Sequence, residues 1–167
     1  MEFLLNNGGV MSLLKVKEYL RKYNIEDRIM EFPVSSATVK EAAIALGCDE
    51  EKIAKTMSFI VNGSPIVIVT AGDQKIDNAK FKGEFHIKAK MVPFDEVETL
   101  IGHEVGGVCP FAVNDGVTVY LDESLKRFET VYPACGSHNS AIGLTIEELE
   151  KTSNYMKWID VCKSIEF

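Results

Sequence analysis

The sequence predicts a single α+β domain in which a mixed β-sheet is surrounded by helices. Three observations carry this reading. The 167 residues are 46% hydrophobic, enough for one sizeable core. Strand-like and helix-like stretches are interspersed without the regular β-α-β alternation of a doubly wound fold. At least one strand pair, joined at Asn62-Gly63-Ser64, is an antiparallel hairpin. There is no internal repeat, low-complexity tract or linker.

Met11-Ser12 resembles an alternative start, so residues 1–11 are expected to be a frayed extension and 12–167 the domain. Ser12 to Tyr23 reads as a helix capped by Ser12, with Leu13, Val16, Leu20 and Tyr23 on one face. Arg28 to Phe32 is a short strand closed by Pro33. Thr38 caps a second helix, Glu41 completes the capping-box spacing, and Gly47 stops it. Val39, Ala42, Ala43 and Leu46 form its apolar side, and Asp49 to Ala54 makes one further turn. Thr56 to Val61 and Pro65 to Thr70 are the hairpin strands, broken at Ala71-Gly72-Asp73. Asp77 opens a short helix to Phe81, Ile87 to Val92 is a strand candidate, and Phe94 to Ile101 is helical with Gly102 as its stop. Val117 to Leu121, Glu129 to Tyr132 and Ala141 to Leu144 are strands. Thr145 with Glu148 repeats the capping box and starts a last helix to Lys151, and the tail around Trp158 is left unassigned.

A net charge of −7 and a pI near 5.0 leave no basic stripe for duplex DNA, although a few local Lys and Arg residues suffice for the end of a nucleic acid. No apolar run approaches the roughly 20 residues of a membrane span, and the N-terminus lacks the pattern of a secretory signal. A cytoplasmic location is expected. Cys48, Cys109, Cys135 and Cys162 contain no C-x-x-C pair and are read as reduced thiols acting mainly as small hydrophobes. His103, Cys109, Cys135 and His138 could in principle supply four zinc ligands. The six-residue gap across a flexible bend argues against them, and no metal or cofactor is expected.

Two features carry chemistry. In Ile101-Gly102-His103-Glu104-Val105-Gly106-Gly107-Val108-Cys109-Pro110-Phe111, paired glycines let another group approach the main chain, and the proline stiffens the backbone around it. Such a loop can aim amide N–H groups at a phosphate or a developing oxyanion; taken alone it reads first as a Gly-Gly bend joining two elements. Lys55 shares one strand face with Met57, Phe59 and Val61, which puts an ammonium at the edge of an apolar row. Its stem could simply pack while the charge stays wet. Beside the glycine loop and the polar bend Ala134-Cys135-Gly136-Ser137-His138-Asn139-Ser140, it could instead hold an anionic or carbonyl group.

Ala54-Lys55-Thr56, the hairpin after it, Gly72 with Ile76-Asp77, the Gly106-to-Pro110 loop and the Asp122-to-Ser140 stretch, in this order and spacing, resemble the YbaK/prolyl-tRNA editing (ProX-like) family. The resemblance covers about Ser12 to Ser153. It implies a fold like the editing domain inserted in bacterial prolyl-tRNA synthetase, and hydrolysis in trans of the ester of mischarged aminoacyl-tRNA. A lysine at the Lys55 position is the family's signature residue. The Gly106-Gly107 loop is implied to give backbone donors to the ester, with Phe32, Thr56, Val108, Pro110, Gly136 and Ser137 around the substrate. The ester is already activated, so a positioned water suffices and no protein nucleophile is needed. The implied partner is the acceptor end of mischarged tRNA, with a synthetase as a further candidate. Two departures stand out: Ala134-Cys135-Gly136-Ser137 lacks the histidine-proline motif of some alanine-editing relatives, and Cys109 replaces the serine of many cysteine-editing ones. His103 and His138 are expected to be polar surface or loop residues rather than general bases. The alternatives are a non-catalytic aminoacyl- or nucleotide-binding module of the same fold and, more weakly, the zinc hydrolase.

Overall fold

The central strand pair follows from Asn62-Gly63. Both residues adopt positive φ (+51° and +80°), the geometry of a tight turn whose twist matches that of its flanking strands. It joins β2 (Ile53–Val61) to β3 (Ser64–Ala71) antiparallel, with Val61 opposite Ser64 and Lys55 opposite Thr70. The computed structural model describes residues 7–165.

A six-stranded sheet grows around this pair in the order β8-β6-β2-β3-β5-β9, with β5 Thr118–Asp122, β6 Thr130–Pro133, β8 Leu144–Thr145 and β9 Lys157–Ile159. β5 lies parallel to β3, β9 parallel to β5 and β6 parallel to β2, while β8 is antiparallel to β6. β1 (Met30–Glu31) with β7 (Ser140–Ala141) and β4 (Gln74–Ile76) with β10 (Cys162–Ser164) form two small antiparallel pairs. The mixed-sheet α+β expectation therefore holds.

β3 alternates between two apolar layers, which explains its unbroken Ile66-Val67-Ile68-Val69 run. Val67 and Val69 pack with Leu13, Val16 and Leu20 of α1 (Asn7–Arg21) and Leu149 of α5 (Ile146–Thr152). Ile66 and Ile68 pack on the other face with Phe59 and Phe81 of α3 (Asn78–Phe85). Both capping boxes form. Thr38 caps α2 (Val39–Leu46), Thr145 caps α5, and Gly47 closes α2 at φ +70°.

Several local expectations are corrected. α1 begins at Asn7, so Ser12 lies inside the helix and caps nothing, and 7–11 are not a frayed extension; residues 1–6 lie outside the described ones. β2 starts at Ile53 after a 3-10 turn at Glu50–Lys52, placing Lys55 within the strand. Ile87 to Val92 forms no strand: Met91 makes only an isolated bridge to Phe59. Phe94–Glu96 is a 3-10 turn leading into α4 (Val97–Ile101). The stretch at 140–145 splits into β7 and β8, and the tail supplies β9 and β10.

Candidate functional site

β2 is only partly covered on the edge away from β3. Ile53 and Ala54 pair with Tyr132 and Pro133 of β6. Further along, the Ile60 N–H donates to the Lys90 carbonyl (2.9 Å) and the Ser58 carbonyl accepts from the Val92 N–H (3.1 Å). Between these attachments the edge opens into a cavity of about 430 Å³. Its walls come from the Ser36-to-Ala42 segment, the 91–97 segment, the glycine loop and the β6–β7 connection, and most are apolar: Ala37, Val39, Met57, Val97, Val108 and Ala134. Met91, Phe94 and Val105 stand exposed at the rim, Phe94 by 77%.

Of the residues expected from the sequence, Lys55, Thr56, Gly106 and Val108 line this cavity. The Lys55 ammonium donates to the Gln74 carbonyl. Burial lowers its pKa, opposed by the nearby Cys162 and Asp73. An ammonium carries three donors, and the Gln74 carbonyl engages one. Asp73 does not neutralise it in a simple pair, because Arg127 grips that carboxylate with two bonds of 2.6 and 3.0 Å. The Thr56 hydroxyl oxygen is buried and, among the described residues, has no hydrogen-bond partner.

Gly106 and Gly107 divide their roles. Gly106, at φ +93°, touches the cavity, and a Cβ there would lie 2.9 Å from the Ala37 methyl. Gly107 lies behind it. Its N–H donates to the Glu104 carbonyl (3.0 Å), so that donor is consumed by a turn instead of facing a ligand. A Cβ on Gly107 would sit 2.4 Å from the Gly136 carbonyl carbon and 2.6 Å from the Ser137 nitrogen, while the Gly136 N–H donates to the Gly107 carbonyl (3.0 Å). Gly136 (φ +95°) presses in turn on Ser12 of α1, whose carbonyl oxygen would be 2.8 Å from an added Cβ. Pro110, Gly136 and Ser137 are buried behind the wall. The Ser137 hydroxyl is held by Asn139 Oδ1 (3.0 Å) and Ser140 Oγ (2.7 Å). Phe32 is clamped to the same bend, donating its N–H to the Asn139 carbonyl (2.8 Å) and accepting from Asn139 Nδ2 (3.0 Å). These five shape the wall from outside the cavity.

His103 lies in the bend after α4, as a loop residue, but is fully buried and not at the surface. Its Nε2 donates to the Phe111 carbonyl (2.6 Å), an obligate acceptor, which leaves Nδ1 to accept from Ser12 Oγ (3.1 Å). Burial pushes the imidazole down to about 4, so it is neutral at pH 7. Cys109 Sγ lies 3.5 Å from Nε2, and burial pushes its thiol up to about 12; burial raises Cys135 as well. Neither supplies a thiolate. His138 turns outward to Glu104 Oε1 (3.0 Å). The four-residue zinc set is therefore not assembled, and among the described residues no three His, Cys, Asp or Glu side chains converge as metal ligands. No helix among the described residues is long and apolar enough to cross a membrane.

Sequence reading missed the Ala37–Val39 wall and the Met91–Val97 rim. The only signal was apolar side chains in stretches otherwise polar, such as Phe94 before Asp95 and Glu96.

Comparison with known proteins gives the family and the fold. The model of the aminoacyl-tRNA editing domain family matches residues 34–152. The uncharacterized protein YwhH of Bacillus subtilis (strain 168) is 50% identical over 157 residues, covering 93% of this chain and all of that protein. A proline–tRNA ligase of Shouchella clausii (strain KSM-K16) is 30% identical over 104 residues, 62% of this chain but only 18% of the ligase. Among solved structures, one named provisionally as a trans-editing enzyme for prolyl tRNA synthetase superposes with a TM-score of 0.82 at 26% identity, covering 92% of this chain and 98% of that one. The hypothetical protein APE2540 gives 0.80 at 27% identity, over 89% and 99%.

Proposed function

The chain belongs to the aminoacyl-tRNA editing domain family, and from that premise we propose that it hydrolyses the ester of mischarged aminoacyl-tRNA in trans, by a positioned water. The observation that carries this reading is the mostly apolar cavity whose lining includes Lys55, Gly106 and Val108. The apolar lining suits an amino-acid side chain, the volume leaves room for the rest of the aminoacyl group, and a lysine with uncommitted donors suits the phosphate or ribose of the terminal nucleotide. In this reading the amino acid enters the cavity, Lys55 holds the nucleotide end, and the ester carbonyl lies among the backbone groups that line the cavity. Water attacks the carbonyl, the tetrahedral oxyanion is met by backbone N–H groups, and the bond to the ribose oxygen breaks. The buried, protonated thiols and the neutral, enclosed His103 leave positioning as the catalytic device. The partner is the acceptor end of a tRNA, and the similarity to proline–tRNA ligases makes a synthetase a candidate second partner.

The test is a panel of tRNAs charged with cognate and non-cognate amino acids, scored for release of the amino acid. Selective hydrolysis of one or a few mischarged species is expected. Binding of the panel without turnover would replace the enzyme by a non-catalytic module of the same fold.

A further inference from the structure

Backbone groups of an edge strand alternate in direction, so the pairing of β2 fixes which of them face the cavity. Ser58 and Ile60 turn their carbonyl and N–H toward Val92 and Lys90, away from β3. Thr56, two residues earlier, points its N–H and C=O the same way, as does Ala54, which pairs with Pro133. Ala54 is covered by β6 and Ser58 is tied to the 90–92 segment. Thr56 faces the open stretch between them with both its N–H and its C=O, and among the described residues no backbone partner meets either on that edge; the Ser58 N–H turns the same way beside it. Among the described residues of β2 directed away from β3, Thr56 is the one with both groups open. Its hydroxyl, buried and unpartnered, marks the same position as short of a polar partner.

In an antiparallel ladder, one residue of the partner strand exchanges two bonds with the residue opposite, its N–H to the carbonyl and its C=O to the N–H. An aminoacyl group is such a residue, with an α-ammonium at one end and the esterified carbonyl at the other. We propose that the Thr56 backbone is the seat of the aminoacyl group: its C=O accepts from the α-ammonium and its N–H donates to the ester carbonyl oxygen. This rests on the editing reading and adds a recognition rule to it. The seat reads the main-chain atoms of the substrate and leaves the side chain to the cavity. It favours one residue with a free amino group, because in antiparallel pairing a preceding chain would run toward Ser58, where the Val92 N–H already holds the carbonyl. The Thr56 N–H supplies the donor that Gly107, already bonded to Glu104, does not.

The experiment follows backbone amide resonances of the full chain, labelled with ¹⁵N, during titration with 3′-(L-alanylamino)-3′-deoxyadenosine, which cannot be hydrolysed. A parallel titration uses the propionyl analogue, which lacks only the α-ammonium. Saturable displacement of the Thr56 amide is expected with the first probe, and binding at least about tenfold weaker with the second, the size of a lost hydrogen bond to a charged group. Thr56→Pro deletes the N–H on the open edge without touching the ladder to β3, and should lower hydrolysis at least about tenfold. Saturable shifts that bypass Thr56, or equal affinity for both probes, would overturn the seat while leaving the editing reading intact. No binding of either probe, together with no hydrolysis across the tRNA panel, would remove the editing reading itself.

Discussion

Replacing Gly107 by Ala tests whether the loop glycines serve chemistry or packing. The added methyl would lie 2.4 to 2.6 Å from three backbone atoms of the Gly136–Ser137 peptide, none of which is a flexible side-chain end. That peptide cannot retreat freely, since Gly136 is itself backed by the Ser12 carbonyl and bonded to Gly107. Overpacking a rigid site costs about 1–3 kcal/mol, and losing the Gly136-to-Gly107 hydrogen bond adds about 1 kcal/mol. The sum, about 2–4 kcal/mol, corresponds to a fall in Tm of about 6–12 °C for a chain of this size. Urea unfolding followed by circular dichroism should show the midpoint drop with an unchanged m value. Gly106→Ala, at a strained φ but with side-chain carbons of Ala37 (2.9 Å) and His138 (3.4 Å) as its nearest neighbours, should lose activity with a smaller loss of stability. A Gly107→Ala protein as stable as the original would refute the backbone-stack reasoning.

His103 should remain neutral well below the usual range, titrating near pH 4 by NMR, and a midpoint near 6.5 would show that the burial argument is wrong. Because its folded pKa is depressed, the unfolded chain binds more protons between about pH 6.5 and 4. The stabilisation is present in full above that window and is lost as pH falls through it, amounting to about 3 kcal/mol. Lys55→Ala should lower hydrolysis about a hundredfold or more while lowering the unfolding free energy from urea titration by no more than about 1 kcal/mol, since it removes one partly buried lysine and its bond to Gln74; unchanged turnover would remove Lys55 from the site. Under native conditions at pH 7 a thiol reagent should modify half-buried Cys48 first and Cys109 and Cys135 only on the timescale of unfolding, and prompt labelling of Cys109 would contradict its burial.

What was legible in the sequence was what neighbours in the chain decide. Thr38 with Glu41, Thr145 with Glu148, Gly47 and Asn62-Gly63 each act within a few residues, and all behave as read. β9 and β10 were not legible, because three-residue strands gain their definition from partners in β5 and β4 far away in sequence. The candidate site divided in the same way. Lys55, Thr56, Gly106 and Val108 reach the cavity, whereas Gly107, Pro110, Gly136, Ser137 and Phe32 are absent from its lining. Glycines signal a close approach without naming what approaches, and at Gly107 it is the protein's own Gly136–Ser137 bend.

The contact between Ser12 and Gly136 also bears on how this fold could be cut out and moved. The segment matched by the family begins at residue 34, yet the bend behind the cavity leans on a helix that ends at Arg21. The same helix accounts for Ser12 Oγ at His103 and for Lys15 Nζ donating to the Gly102 carbonyl (2.7 Å). A fusion or transplant that kept only the matched segment would retain every residue lining the pocket and lose the buttress holding its rear wall. The smallest transferable unit of this domain therefore includes Asn7–Arg21, and its borders are set by load paths through the backbone rather than by sequence similarity.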